Sequence, residues 1–117
     1  MQIISCSADL ILDSFLPQYL VVLRLPYEIF NGIDPLYALD TIDISRLISI
    51  HASDNFYNSF KDQHLPIGRG EIDWEKLFKR LSSYGFKGKL VVEVTDKGED
   101  GKPLIESIEY LRNLGII

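Results

Sequence analysis

Three apolar runs limit most sharply what this chain can fold into: Tyr19-Leu20-Val21-Val22-Leu23, Leu47-Ile48-Ser49-Ile50 and Leu90-Val91-Val92. A strand with one wet face alternates apolar and polar residues. A run that stays apolar at successive positions reads as a strand buried on both faces, as in a parallel sheet. Each run is followed by a helical pattern. Asp34-Pro35 opens the first helix, aspartate as cap and proline at the first helical position, with Leu36, Leu39 and Ile42 on its apolar face. Asp73 caps the second, whose apolar positions Trp74, Leu77, Phe78 and Leu81 keep the 3.6-residue period to a C-terminal stop at Gly85. The third runs from Pro103 to Leu114 with Leu104, Ile108 and Leu111 inward. Near the N-terminus, Gln2 to Ser5 reads as a short strand and Ser7 as the cap of a short helix over Asp9 to Leu12. Pro26 ends the strand before it, and Arg46 to Ile50 and Leu90 to Val94 are the later strands. Strand and helix alternate three to four times, which predicts a single α/β domain with right-handed crossovers.

One connection is out of proportion. Between Ile50 and Trp74 lies HASDNFYNSFKDQHLPIGRGEID, with both histidines of the protein, Asp54, Asp62 and the Gly68-Arg69-Gly70 turn. A loop of about twenty residues is far longer than most βα connections and points to function, and loops at the carboxyl ends of parallel strands carry the site chemistry. His51, where strand meets loop, has the residue type of a divalent-metal ligand; the plain alternative is a hydrogen-bonded strand-end histidine. Glu93 lies inside an otherwise apolar strand, where a carboxylate is costly unless paired or metal-bound; its plain alternative is an outward edge position. Asp62 and His64, two apart, lie on one side of an extended segment, where a loop-internal hydrogen-bond pair is the plain reading. Asp54 and Asn55 read as local turn residues. Gly68 and Gly70 read as tight backbone geometry, because a lone glycine pair is weak evidence for a phosphate cradle. Trp74 reads as core.

Composition narrows the classes. The chain has 117 residues with 46% apolar content, enough for a core in one domain. No apolar run approaches the length of a membrane span, and the N-terminus has no signal-peptide pattern. One cysteine, Cys6, excludes an intrachain disulfide and fits a reducing cytoplasmic setting. The net charge of -5 with scattered basic residues argues against a nucleic-acid partner.

His51-x-Ser53-Asp54-Asn55, then Asp62-Gln63-His64-Leu65-Pro66-Ile67-Gly68-x-Gly70, then Ile72-Asp73-Trp74 resembles the xylose-isomerase-like TIM-barrel superfamily, which includes sugar-phosphate isomerases and epimerases and the endonuclease IV type of AP endonuclease. The resemblance covers Ile33 to the C-terminus well and the first thirty residues poorly. It implies that the long loop follows the seventh barrel strand and that Glu93 is the metal-binding glutamate of the last. It further implies metal ligation by His51 and Glu93, with Asp62 and His64 as the other candidate ligands. Glu93 would also be the catalytic base, and Asp54, Asn55 and Arg69 would line the substrate pocket. The ligands expected on the preceding strand are absent: Arg24, Pro26 and Tyr27 stand where that strand's motif has aspartate, glycine and histidine. A whole barrel needs eight βα units and about 250 residues.

The expectation is therefore a partial, half TIM barrel of three to four parallel βα units. It has a residual site that binds zinc or manganese weakly and has no activity alone. The alternatives are a metal-dependent sugar isomerase or epimerase completed by oligomerisation, and a non-catalytic binding or assembly module. Cleavage at abasic DNA is the lesser enzymatic reading. A sugar or sugar phosphate is the expected small-molecule partner. A homo-oligomer, most simply a dimer, is expected because a half-barrel sheet leaves two open edges and an uncovered face.

Overall fold

A computed structural model of the chain describes residues 2–5 and 21–24 as backbone strands, and residues 34–57, 59, 61 and 63–117 in full. The elements are β1 (Gln2–Ser5), β2 (Val21–Arg24), α1 (Pro35–Thr41), a 3₁₀ turn (Ile44–Arg46), β3 (Leu47–Ala52), α2 (Trp74–Ser83), β4 (Lys89–Val92) and α3 (Lys102–Asn113). The expected helix over Asp9–Leu12 and the stop at Pro26 lie outside the described residues.

The strands form one sheet in the order β1-β4-β3-β2. All three pairings are parallel. The first strand therefore sits beside the last rather than beside its successor in sequence. Val21 to Arg24 and the later strands are consecutive neighbours, as successive βα units require.

Helix starts follow the caps in the sequence. The Asp34 side chain accepts from Leu36 N at 2.8 Å, with Pro35 opening α1, and Asp73 accepts from Lys76 N at 3.0 Å at the start of α2. Trp74, Leu77, Phe78 and Leu81 of α2 are all buried, and the Trp74 and Phe78 rings stack at 6.1 Å. They share one core with Ile50 and Ala52 of β3, Leu90 and Val92 of β4, Leu39 of α1 and Leu111 of α3. Between α1 and α2, Asp40 accepts from Arg80 and from the Tyr84 hydroxyl, the latter at 2.6 Å. The Arg80 hydrogen bond, then that of Tyr84, holds the Asp40 carboxyl below the usual carboxylate range.

Both ends of β3 and of β4 differ from the sequence expectation: β3 runs on to Ala52, and β4 already begins at Lys89. Arg46 belongs to the 3₁₀ turn, because Asp43 accepts from Ser45 N at 3.1 Å and turns the chain before β3 begins. Strand β4 ends at Val92 instead of Val94. Glu93 N still donates to Ala52 O at 2.9 Å, but Thr95 N donates to His64 O at 3.1 Å. The long loop thus takes over the pairing at the end of β4.

The pleat decides what faces where. Ser49, His51 and Ala52 pair in register with Lys89, Val91 and Val92. Successive side chains alternate between faces, so Ile50, Ala52, Leu90 and Val92 share the face packed on the helices. Ser49, His51, Lys89, Val91 and Glu93 share the other. Among the described strand residues that second face is mixed and mostly polar, not apolar throughout as the unbroken runs suggest. Among the described residues, no helix is long and apolar enough to cross a membrane.

Candidate functional site

His51 is the fifth residue of β3, and Glu93 is the first residue beyond β4. Parallel pairing of two adjacent strands brings both to the carboxyl end of the sheet, on the same face. The structure joins them: His51 Nδ1 lies 3.1 Å from Glu93 Oε1, and both residues are only 5% exposed. Glu93 is thus neither in the middle of a strand nor at an outward edge; it closes a central strand and is buried. Its second oxygen, Oε2, is buried with no hydrogen-bond partner among the described residues. A buried carboxylate oxygen without a donor is costly, so it marks a place where a cation or a polar ligand would be stabilised. An imidazole nitrogen and a carboxylate oxygen are the donor types that zinc and manganese accept. The pair therefore fits part of a coordination shell, and among the described residues no group of three or more His, Cys, Asp or Glu could hold a metal ion.

His64 comes close to this pair through its backbone surroundings. Its Nδ1 lies 3.4 Å from the carbonyl oxygen of Glu93 and 3.4 Å from Ser53 Oγ. Its φ is 47°, a conformation uncommon for residues other than glycine and enriched where surrounding structure imposes it. Asp62, the other half of that expected pair, lies outside the described residues. Arg24 closes β2 in register with His51.

The rest of the loop is organised by one carboxylate. Asp54 is fully buried. Its Oδ1 accepts from Asn55 N at 3.0 Å and Ile72 N at 3.2 Å. Its Oδ2 accepts from Gly68 N at 2.8 Å and the Trp74 indole Nε1 at 2.9 Å. Its backbone forms an isolated antiparallel bridge with Leu65, at 2.8 and 3.0 Å. Asn55 is equally enclosed: its side chain donates to Lys61 O at 3.0 Å and accepts from Gln63 N at 3.1 Å. The local turn role expected for Asp54 is too small, since it clamps residues up to twenty positions away. Both carboxylate oxygens are occupied by the protein itself. Arg69 is exposed and donates to Glu106 of α3 at 2.6 Å. Asp54, Asn55 and Arg69 thus hold the loop together and to α3.

Sequence reasoning passed over Ser107. It is fully buried, accepts from Ile67 N at 2.9 Å and donates to Pro103 O at 2.8 Å. A serine in the middle of an amphipathic helix carries no signal of a loop amide forty residues away. Ser107→Ala leaves the Ile67 N–H buried without an acceptor, which costs about 1–3 kcal/mol. Urea unfolding reads that loss, and amide exchange at Ile67 is expected to accelerate beyond it.

The fold and the loop together define the class. The model of the xylose isomerase-like TIM barrel family matches residues 22–114, and the chain belongs to that family. It is similar to a D-tagatose 3-epimerase-like protein of known crystal structure, with 25% identity and a TM-score of 0.59 over 82% of this chain. It is also 36% identical over 47 residues to an uncharacterized protein of Methanocaldococcus jannaschii, a match covering 40% of this chain. The matches span 36% of the epimerase-like structure and 15% of the archaeal relative. The parallel sheet is accordingly a TIM-barrel-like fragment, with His51 and Glu93 at the strand ends where such barrels place their chemistry.

Proposed function

We propose that this chain carries part of a divalent-metal site of the sugar isomerase and epimerase type, built on His51 and Glu93, and that the 117-residue chain alone does not turn over a sugar. The observation that carries this reading is the buried His51–Glu93 contact, with one carboxylate oxygen that has no hydrogen-bond partner among the described residues. The D-tagatose 3-epimerase-like neighbour supports the substrate class, a sugar with a carbonyl beside a hydroxyl-bearing carbon. A bound zinc or manganese ion would supply Lewis acidity toward the sugar oxygens. His51 would hold it through its imidazole and fix the rotation of the Glu93 carboxylate. Glu93 would be ligand through one carboxylate oxygen and base through the other, taking a proton from the hydroxyl-bearing carbon beside the carbonyl and delivering it to the carbonyl carbon, which isomerises the sugar; epimerisation would need a second proton donor on the opposite face. His64 Nδ1 meets the backbone carbonyl of Glu93, and Ser53 Oγ meets the same ring nitrogen. Two protein donors seldom hold a divalent ion tightly, which is the basis for expecting no activity from this chain alone.

Calorimetric titration with manganese or zinc chloride tests the site. Weak binding to the wild-type chain is expected, lost in both His51→Ala and Glu93→Ala, with circular dichroism confirming that both variants fold. Tight stoichiometric binding that survives Glu93→Ala overturns the assignment. In parallel, D-tagatose incubated with chain and metal is expected to stay unchanged. Metal-dependent epimerisation abolished by His51→Ala would show that the isolated chain is a complete catalyst.

A further inference from the structure

We propose that Ser107 is a positioning residue for the His51–Glu93 pair, acting from α3 through the segment His64 to Gly68. The proposal rests on the reading of that pair as the site, and its structural part is tested without a metal.

The segment is held from three sides. At the end of β4, Thr95 N donates to His64 O at 3.1 Å, and His64 Nδ1 lies 3.4 Å from Glu93 O. Just beyond β3, the Asp54 and Leu65 backbones pair both ways, at 2.8 and 3.0 Å. The third side is α3. Ile67 N donates to Ser107 Oγ at 2.9 Å, Arg69 reaches Glu106 at 2.6 Å, and the Tyr110 ring lies so close to Gly68 that a methyl there would come within 2.5 Å of it. Ser107 is the fully buried member of this set. A hydroxyl has one hydrogen and two lone pairs. Its hydrogen goes to Pro103 O at 2.8 Å, so a lone pair faces Ile67 N.

The path from Ser107 to the site is short and stiff. Pro66 fixes its own φ between Ile67 and His64. His64 has φ 47°, a conformation that persists only where the surroundings over-determine it. Removing the hold at Ile67 removes one of those constraints and lets His64 relax away from the Glu93 carbonyl. Glu93 is thinly held itself. Its N–H donates to Ala52 O at 2.9 Å and its Oε1 meets His51 Nδ1 at 3.1 Å, while Oε2 has no hydrogen-bond partner among the described residues. A carboxylate located this way turns with its backbone. Groups that orient a ligand residue matter nearly as much as the ligands.

Heteronuclear NMR of the imidazole rings, at one fixed pH on the metal-free full chain, reads the proposal directly. In Ser107→Ala the Nδ1 signals of His64 and His51 are expected to move, the second because Glu93 turns away from it. Leu39→Val, a core substitution in α1, is expected to leave both in place. Calorimetry with manganese chloride is expected to show affinity about ten-fold weaker in Ser107→Ala, the low end of what losing an outer-shell support does, and unchanged in Leu39→Val. Ring signals that stay put in Ser107→Ala overturn the proposal. So do signals that move equally in Leu39→Val, or a Ser107→Ala chain that binds manganese as the wild type does. A wild-type chain that takes up no manganese, with ring signals moving as expected, removes the metal reading and leaves the positioning role standing. If Ser107→Ala does not fold, Arg69→Ala decides. Loss of an exposed ion pair changes stability little but loosens the same segment from α3, and an unmoved His64 signal there overturns the proposal.

Discussion

Asp54→Ala is expected to destabilise the chain by roughly 3–5 kcal/mol, as water reaches some but not all of the donors it abandons. A typical domain has about 5–15 kcal/mol in total, so this one side chain carries a large part of the stability. Four N–H groups point at its two oxygens: Asn55 and Ile72 at Oδ1, Gly68 and the Trp74 indole at Oδ2. Hydrogen bonds to a charged acceptor are the stronger kind, and buried donors left without one bear the full desolvation cost. Asp54→Asn is expected to be nearly as damaging, since its NH₂ must face two N–H donors whichever way the amide is turned. Trp74→Phe removes one donor and should cost less than Asp54→Ala. The double variant should lose less than the sum of the two singles, because the indole N–H and the carboxylate depend on each other. Urea midpoints of the four proteins give the coupling directly. Strict additivity would mean that Trp74 contributes packing alone.

Gly70→Ala is expected to cost about 3 kcal/mol, at the upper end of what overpacking does. A methyl group at Gly70 would lie 2.5 Å from Asn55 O and 2.6 Å from Asn55 N, and closer still to Asp54 Oδ1. These are backbone atoms and the oxygen of the clamp: moving Asn55 strains its 3.0 Å hydrogen bond from Glu71 N, and moving Asp54 Oδ1 strains those from Asn55 N and Ile72 N. Gly85→Ala is the control. Gly85 has φ 72° but meets nothing where a methyl would go, so that substitution bears only the left-handed backbone cost of about 1 kcal/mol. Thermal unfolding should rank Gly70→Ala well below Gly85→Ala. The reverse order would mean that the loop yields at Gly70 and that the Asp54 clamp is softer than its four hydrogen bonds suggest. Amide exchange at Ile72 and Gly68 reports the same clamp independently.

Much of this architecture was legible in the residues themselves because its causes are local. Asp34-Pro35 and Asp73 open helices through hydrogen bonds to amides two and three residues on, and Trp74, Leu77, Phe78 and Leu81 bury one face because a helix repeats every 3.6 residues. Gly68-x-Gly70 was readable as tight backbone for a similar reason: Gly68 has φ 98°. The loop motif pointed to the family, and the match over residues 22–114 establishes it. What depended on partners distant in sequence was not readable. Asp54 looked like a turn residue, because nothing in its neighbours shows that Trp74 and Ile72 return to it. Ser107 looked incidental until Ile67 was found against it. The apolar runs suggested two greasy faces, whereas pairing β3 with β4 put Ser49, Lys89 and the His51–Glu93 contact together on one of them. Strand order was decided by the tertiary structure alone. A four-residue strand such as Gln2–Ser5 has no local mark of its neighbour, and only packing sets it beside β4.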